Sequence, residues 1–577
     1  MLALLIAAGS SPGTAIPPYP PGEMEQRTKD PFLLRGILES VARHQSTTRR
    51  EPVTYSGVFK IPIILVDFAD NEAHSVAYPA THYETLLFDR TPGARSLFDY
   101  YKENSYGAFD VQGTVTPWLR SNYLYNGHYV NADRVLGTND DHGFDTSAAS
   151  LDGMNPPRNV WGLVKEAVEL ADPYLDFGEF DNDGDGEVDA IIVVHAGCGA
   201  EFQSCQPAAD QIWSHQSSLR EFFEARASHF LPIVADGVEA NIYTLNPEDG
   251  QLGVFAHEFG HTLGLPDFYN TINLESRVGR FCLMDYGGWS GWPVGSGPSH
   301  LSSWCKSFLG WIEPEAIDSI TDPPPYQIHS ITLPAIEEEP VAVRILDNPN
   351  GVDWTPVSLG MGEYFLVENR QLLGYDADLF TTLGTEAEGL LILHIDESLP
   401  GNNRSDRLLV SVVQADGGSM MLLGTGHPED LWKPGQEFGP STIPSSDLYG
   451  GVPSSVSISG IQDIGADQMR ASVTRGETPP SPELDIRPNP WVTEQSAEGV
   501  HISYKPESQS RTLRVWIYTL TGALVRVLDE SPEVSPGGGY ARWDGTNEEG
   551  DPVAGGVYFI VVSDGNQQTT GKIAVVR

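Results

Sequence analysis

The chain has 577 residues, 40% hydrophobic and 10% aromatic, which supports several packed domains and excludes a globally disordered protein. Asp and Glu number 79 against 34 Lys and Arg, a formal charge of -45 that excludes nucleic acid as a partner and repels anionic membrane. No apolar run is long enough for a membrane span, and solubility is sufficient reason for most of the carboxylates.

In chain order, the first element is "MLALLIAAGSSPG". Leu2 to Ala8 is a short apolar run followed by small residues, similar to the core of a secretory signal, although no basic residue precedes it. Up to about residue 55 the chain is rich in Pro, Ser, Thr and charge, and Arg49 and Arg50 offer a cleavage point on an exposed linker. Residues 1–55 therefore read as a signal-like segment and a pro-segment. "FKIPIILVDFAD" predicts a buried strand. "ARSLFDYYKENSYGAF" predicts a helix closed near Gly107, and "NVWGLVKEAVELADPY" a second helix with apolar residues spaced by three and four. "DAIIVVHAG" predicts another buried strand. Strands and helices mix over 56–314, as in an α/β or α+β catalytic domain.

After "LGWIEPE" the pattern changes. "ITDPPPYQ" reads as a linker, and strands with turns follow, predicting a β-sandwich accessory domain over 315–476. "TRGETPPSPELDIRPNP" reads as a second linker. Residues 483–577 are again all strands and Gly-rich turns, which fits an immunoglobulin-like β-sandwich.

The chemistry concentrates in "GVFAHEFGHTLGLPD". A helix over roughly 251 to 263 places His257 and His261 one turn apart on one face, where both rings can bind one metal ion. Glu258 stands beside them. Were the helix to continue, Asp267 would lie about 15 Å along its axis from His257. Gly264 can take the left-handed conformation that ends a helix, and Pro266 cannot continue it. The chain must turn, so Asp267 is available as a third ligand. Three protein ligands leave a zinc ion one position for water. Glu258 is then placed to take that water's proton and pass it to a leaving amine. Should Asp267 not ligate, Glu275 and Asp285 are the next candidates. Downstream, in "GRFCLMDYGGWSGW", Met284 is expected to floor the metal site. Tyr286 either brings its hydroxyl near the metal to stabilise an oxyanion or simply packs.

"DNDGDGEVD" is a second signal. Asp181, Asp183, Asp185 and Asp189 take positions 1, 3, 5 and 9 of an EF-hand-type calcium loop, Gly186 the sharp turn, and Glu187 the position that offers its carbonyl. Position 12 is Ile192 rather than a bidentate glutamate, so ligation would be completed elsewhere or the loop is an acidic turn. His195, His215, His394 and Asp396 read as structural. Four cysteines in an exported chain fit two disulfides, with the local pairs Cys198–Cys205 and Cys282–Cys305 expected and buried free thiols as the alternative.

These stretches, with "YYKENSYG", "IWSH", "LSSWCKSFLGW", "EYFLVENRQ" and "LILHID" in this order, resemble the metzincin clan of zinc endopeptidases. They are most similar to the immune inhibitor A family of secreted bacterial metallopeptidases. The resemblance spans roughly 58 to 475. It implies zinc, a pro-segment, export and protein or peptide substrates, with His257, Glu258 and His261 carried over by position. Most metzincins place a histidine where this chain has Asp267. Family members often show "DLYD" where this chain has "DFYN", so an acid at Asn270 is lost. The C-terminal region resembles the immunoglobulin-like module of flagellar hook-capping proteins and the sorting domains of type IX secretion cargo. That resemblance implies a secreted or cell-surface protein, with contact to a surface or to secretion machinery through this domain. The rival class is a non-catalytic surface adhesin, in which a metal only holds a fold and Glu258 has no use.

Overall fold

The structure is a computed structural model. It describes residues 55–130, 158–202, 211–220, 233–271, 275–317, 328–348, 360, 362–379, 383, 386–417, 426–475, 483–487, 489–493, 499–505, 514–520, 523–528, 539–563 and 568–577. The signal-like segment, the pro-segment and Cys205 lie outside the described residues. The chain forms two compact units.

The first unit holds Met1–Ser319, Ser330–Glu437 and Ser459–Ala471. Its elements begin with β1 (Gly57–Asp67), α1 (Ala80–Phe88), α2 (Leu97–Asn104), β2 (Phe109–Arg120), α3 (Val160–Ala171), β3 (Glu187–Val188) and β4 (Ile191–His195). There follow β5 (His215–Ser218), β6 (Ile233–Ala235), β7 (Val238–Ala240), β8 (Ile242–Pro247), α4 (Leu252–Thr262) and α5 (Ser303–Phe308). The main sheet has the order β2-β1-β4-β8-β5, parallel except for the antiparallel edge strand β5. Helices cover both faces, which is why β1 and β4 read as continuous apolar runs. Ile64, Val66, Ile191 and Val193 pack with Val160, Leu163 and Val164 of α3. On the other face Phe59 of β1 meets Phe259 of α4, ring centroids 5.8 Å apart. The expected strands and helices therefore form, with Asn159 capping α3 and Ser96 capping α2 through their side chains.

A second sheet of the same unit has the order β14-β13-β12-β11-β9, built from β9 (Glu315–Ile317), β11 (Val343–Ile345), β12 (Glu363–Arg370), β13 (Gly389–Asp396) and β14 (Val410–Val412). The sequence predicts a separate domain from 315, but much of this stretch packs as one unit with the preceding α/β segment. The reason is a charged seam. Arg370 is fully buried, ion-pairs with Glu337, Glu368 and Asp376, and donates to Phe281 O at 2.9 Å. Glu368 in turn accepts from the first amide of α5, Ser303 N, at 2.6 Å, and Asp376 from His300 N at 2.7 Å. Such groups are tolerated inside a protein only when paired, so the two segments close on each other.

Strands β10 (Ile328–Pro334), β15 (Val456–Gly465) and β16 (Gln468–Arg475) make a three-stranded sheet of order β10-β16-β15.

The second unit contains Ser472–Arg577 with two shorter stretches. Its strands are β17 (Glu483–Arg487), β18 (Trp491–Val492), β19 (Val500–Lys505), β20 (Arg514–Thr519), β21 (Leu524–Leu528), β22 (Gly539–Trp543), β23 (Gly556–Ser563) and β24 (Gln568–Val576). They form sheets of order β17-β19-β22 and β18-β24-β23-β20-β21. Both contribute to one core of Trp491, Ile502, Ile517, Trp543, Ile560 and Ile573. This is a two-sheet all-β architecture, as the alternating strands predict.

Candidate metal centre and active site

The metal helix α4 ends as its sequence dictates. Gly264 adopts φ +92°, Leu265 N donates to Gly260 O at 3.2 Å, and Gly264 N donates to His261 O at 2.9 Å. That pattern is a Schellman motif with glycine in the left-handed position. The chain reverses, and Asp267 returns to both histidines. Its Oδ1 lies 3.1 Å from His257 Nε2 and 3.3 Å from His261 Nε2, and the two Nε2 atoms are 3.1 Å apart. Ligands about 2.0–2.1 Å from one tetrahedral zinc would stand roughly 3.3 Å from each other, so the three residues fit that ion.

Each ligand is aimed by a backbone carbonyl. His257 Nδ1 donates to Leu283 O at 3.0 Å, and His261 Nδ1 donates to Leu265 O at 2.8 Å. With Nδ1 protonated, Nε2 is the free donor to a metal. Phe268 N donates to Met284 O at 2.8 Å, fixing the residue after Asp267. Met284 lies under the helix: a Cβ added at Gly260 would meet its sulfur at 2.8 Å. From α2, Tyr101 Oη donates to Ala256 O at 2.7 Å beside the same glycine and steadies the helix there.

Glu258 is fully buried, and no side chain hydrogen-bonds to either carboxylate oxygen. Burial raises its pKa; the nearby histidines, and to a lesser degree the Gln216 amide of β5, pull against that rise. Burial also opposes charge on Asp267 and His261, but their mutual attraction wins. It holds Asp267 well below the usual carboxylate range and carries His261 up to about 9.

The structure adds Tyr269, which sequence reasoning passed over. It is 1% exposed, hydrogen-bonded to Asp267, and stacked near His257 with ring centroids 6.4 Å apart. Its position two residues after the third ligand was the available signal. Tyr286 is half-buried against the α3 core and is raised to about 12 by burial, with Asp285 adding to the rise and Arg280 opposing it. Of the alternative ligands, Asp285 accepts from Ser276, Arg277 N, Val278 N and Gly279 N, and Glu275 pairs with Arg277. Their roles lie in the loop, not at the histidines. Asn270 donates its amide to Glu275 O at 2.8 Å.

In the acidic loop, ligand atoms of Asp181, Asp183 and Asp189 lie within 4.8 Å of one another. Asp181 also closes the loop by accepting from the amides of Gly184, Asp185 and Gly186. Asp185 caps Glu187 N at 2.9 Å, and the Glu187 carboxylate is engaged by Arg220. Ile192, at position 12, is buried in β4.

His195 and His215 donate Nδ1 to the carbonyls of Ala196 and Trp213, and burial lowers both to about 4. His394 pairs with Glu363, and Asp396 with Arg407. Cys198 is disulfide-bonded. Cys282 and Cys305 do not form the expected bridge. They are buried free thiols with Sγ atoms 3.9 Å apart, and the Cys305 sulfur also receives the Ser302 hydroxyl.

Residues 60–311 match the family described as immune inhibitor A peptidase M6, catalytic domain. Immune inhibitor A of Bacillus thuringiensis subsp. alesti is 31% identical over 285 residues, 43% of this chain and 39% of that protein. The pre-pro-metalloprotease PrtV of Vibrio cholerae serotype O1 (strain M66-2) is 28% identical over 319 residues, 50% of this chain and 33% of that protein. The match thus spans well under half the length of these relatives. PorZ, a surface component of the type-IX secretion system of Porphyromonas gingivalis, shares 21% identity over 33% of this chain and 21% of its own, at a TM-score of 0.14 that carries no argument. The segment that builds the metal centre, residues 60–311, is thus similar to the immune inhibitor A peptidase M6 catalytic domain and to metalloproteases that carry it.

Proposed function

We propose that the protein is a secreted or surface-held zinc endopeptidase of metzincin type, with Glu258 as its general base. The observation that carries this reading is the convergence of His257, His261 and Asp267 on one point beside a buried Glu258 carboxylate that no other side chain engages. A structural metal site or an adhesin has no use for that carboxylate. Zinc bound by the three residues supplies an acidified water and a polarised carbonyl. Glu258 accepts the water's proton and returns it to the departing amine nitrogen. Met284 holds the helix floor, and Tyr286 is the candidate to steady the oxyanion.

The substrate is an extended peptide. Among the described residues strand β5 is an edge of the main sheet, and its Gln216 amide acts on Glu258, so that edge reaches the reacting centre. A peptide pairing there would bring its carbonyl to the metal. The acidic loop over Asp181–Asp189 is proposed as a structural calcium site, with Asp181, Asp183, Asp185 and Asp189 and the Glu187 carbonyl as ligands. Residues 1–55 are proposed as signal and pro-segment, and 483–577 as an immunoglobulin-like domain contacting a cell surface or secretion machinery. Among the described residues no helix is long and apolar enough to cross a membrane.

A casein-clearing assay on the purified protein tests the enzyme reading. Clearing should stop with a chelator and return with added zinc. Clearing that persists after the metal is removed would refute it.

A further inference from the structure

We infer that Asn402, outside the segment matched to the catalytic family, is a positioning residue that sets the third metal ligand. The inference rests on the zinc reading of His257, His261 and Asp267. Asp267 is held by no regular element. It follows the helix-ending turn, and its reach toward the histidines depends on where the next residues are pinned. On one side Phe268 N donates to Met284 O at 2.8 Å. On the other, Asn402 Nδ2 donates to Phe268 O at 2.8 Å. The Asn402 side chain is 1% exposed and its amide is fully used. Nδ2 also donates to Val410 O at 2.6 Å, and Oδ1 accepts from Val410 N at 3.1 Å. It is therefore locked to β14, the edge strand of the second sheet, and carries that strand's position to the residue beside the ligand. The neighbouring Asn403 repeats the tether, its Oδ1 accepting from Thr271 N at 2.8 Å and Thr271 Oγ1 at 3.1 Å. Val412 N donates to Arg277 O at 3.2 Å, so β14 also grips the loop on its far side.

Phe268 is fully buried, so its carbonyl has no water to replace the Asn402 amide. A ligand loop that loses this anchor would sample positions in which Asp267 Oδ1 no longer shares a point with both Nε2 atoms. Metal sites tolerate about 0.5 Å of such slack. The second sheet thus completes the metal centre rather than merely flanking it.

The test uses the full chain, with zinc ion alone as the probe, competed against a chelator well below every melting point. Asn402→Ala should weaken zinc binding about 10–100-fold, the range found for partners that orient ligands. Asn402→Asp keeps the size and the Val410 amide bond but sets an acceptor against Phe268 O, and it should weaken zinc similarly. A purely structural role would lower the melting temperature of the metal-free protein and leave the zinc dissociation constant alone. If Asn402→Ala does not fold, Asn403→Ala, at the exposed end of the tether, should weaken zinc several-fold. A folded variant, at either position, within twofold of the parent overturns the inference while the zinc reading stands. A parent that binds no equivalent of zinc overturns both.

Discussion

His257 Nε2 and Asp267 Oδ1 stand 3.1 Å apart although ten residues of chain separate them. An uninterrupted helix would keep them about 15 Å apart. The whole of that difference comes from the turn at Gly264.

Asp267→Asn tests the value of this contact. It preserves shape but removes the charge that holds the histidines together. Zinc affinity should fall at least about 100-fold, more than for loss of an orienting partner. Metal analysis of the purified variant decides it. A full equivalent of zinc retained against chelator would mean that Asp267 is not a ligand.

Glu258→Gln should keep the zinc and lose the chemistry. The amide fills the same buried space but cannot take a proton. The expected loss in kcat is about 10²–10⁴-fold with zinc stoichiometry unchanged. Single-turnover peptide cleavage beside metal analysis reads both. Parental kcat in the variant would remove Glu258 from the mechanism.

Asp183→Ala combined with Asp185→Ala addresses the acidic loop. Thermal melts of parent and variant in calcium should separate, and the same melts in excess chelator should nearly coincide. The ligand, not the fold, supplies the difference. An equal drop in both media would show that the loop is an acidic turn.

Glu201 supplies a pH signature. It is 2% exposed, accepts from Ser214 Oγ at 2.6 Å, and is raised to about 7 chiefly by burial. The folded state therefore holds this proton more tightly than the unfolded chain does. The associated stability is complete below the unfolded value near 4.5 and is lost as pH rises from there to about 7. The size is on the order of 3 kcal/mol. Glu201→Gln should flatten this stretch of the stability curve, leaving the variant more stable than the parent at pH 8. Denaturant melts at pH 5 and pH 8 compare them, and parallel curves would reject the assignment.

The metal helix was legible because its signals are local. His257 and His261 are four apart, and Gly264 with Pro266 forces the reversal that brings Asp267 home. Met284 was legible for the same reason. Tyr269 and Asn402 were not: Tyr269 offered only its place two residues after Asp267, and Asn402 carries no marker in its own neighbourhood. Asn402 acquires meaning only from Phe268, 134 residues away. The cysteine expectation divided likewise. Cys198 is bonded, whereas Cys282 and Cys305 are neighbours that stay reduced. The proline run near 323 suggested a boundary, and local composition cannot show that Glu337, Glu368 and Asp376 reach for one arginine.

That arginine has a consequence for inheritance. Arg370 neutralises carboxylates of its own strand and loops while gripping the carbonyl of Phe281, three residues before Met284. A recombination event that joined residues 60–311 to a foreign partner would leave buried amides and the Met284 turn without their counterparts. The α/β segment and the sheet after it should therefore be transmitted as one indivisible cassette. The C-terminal strands, by contrast, pack around a core of their own.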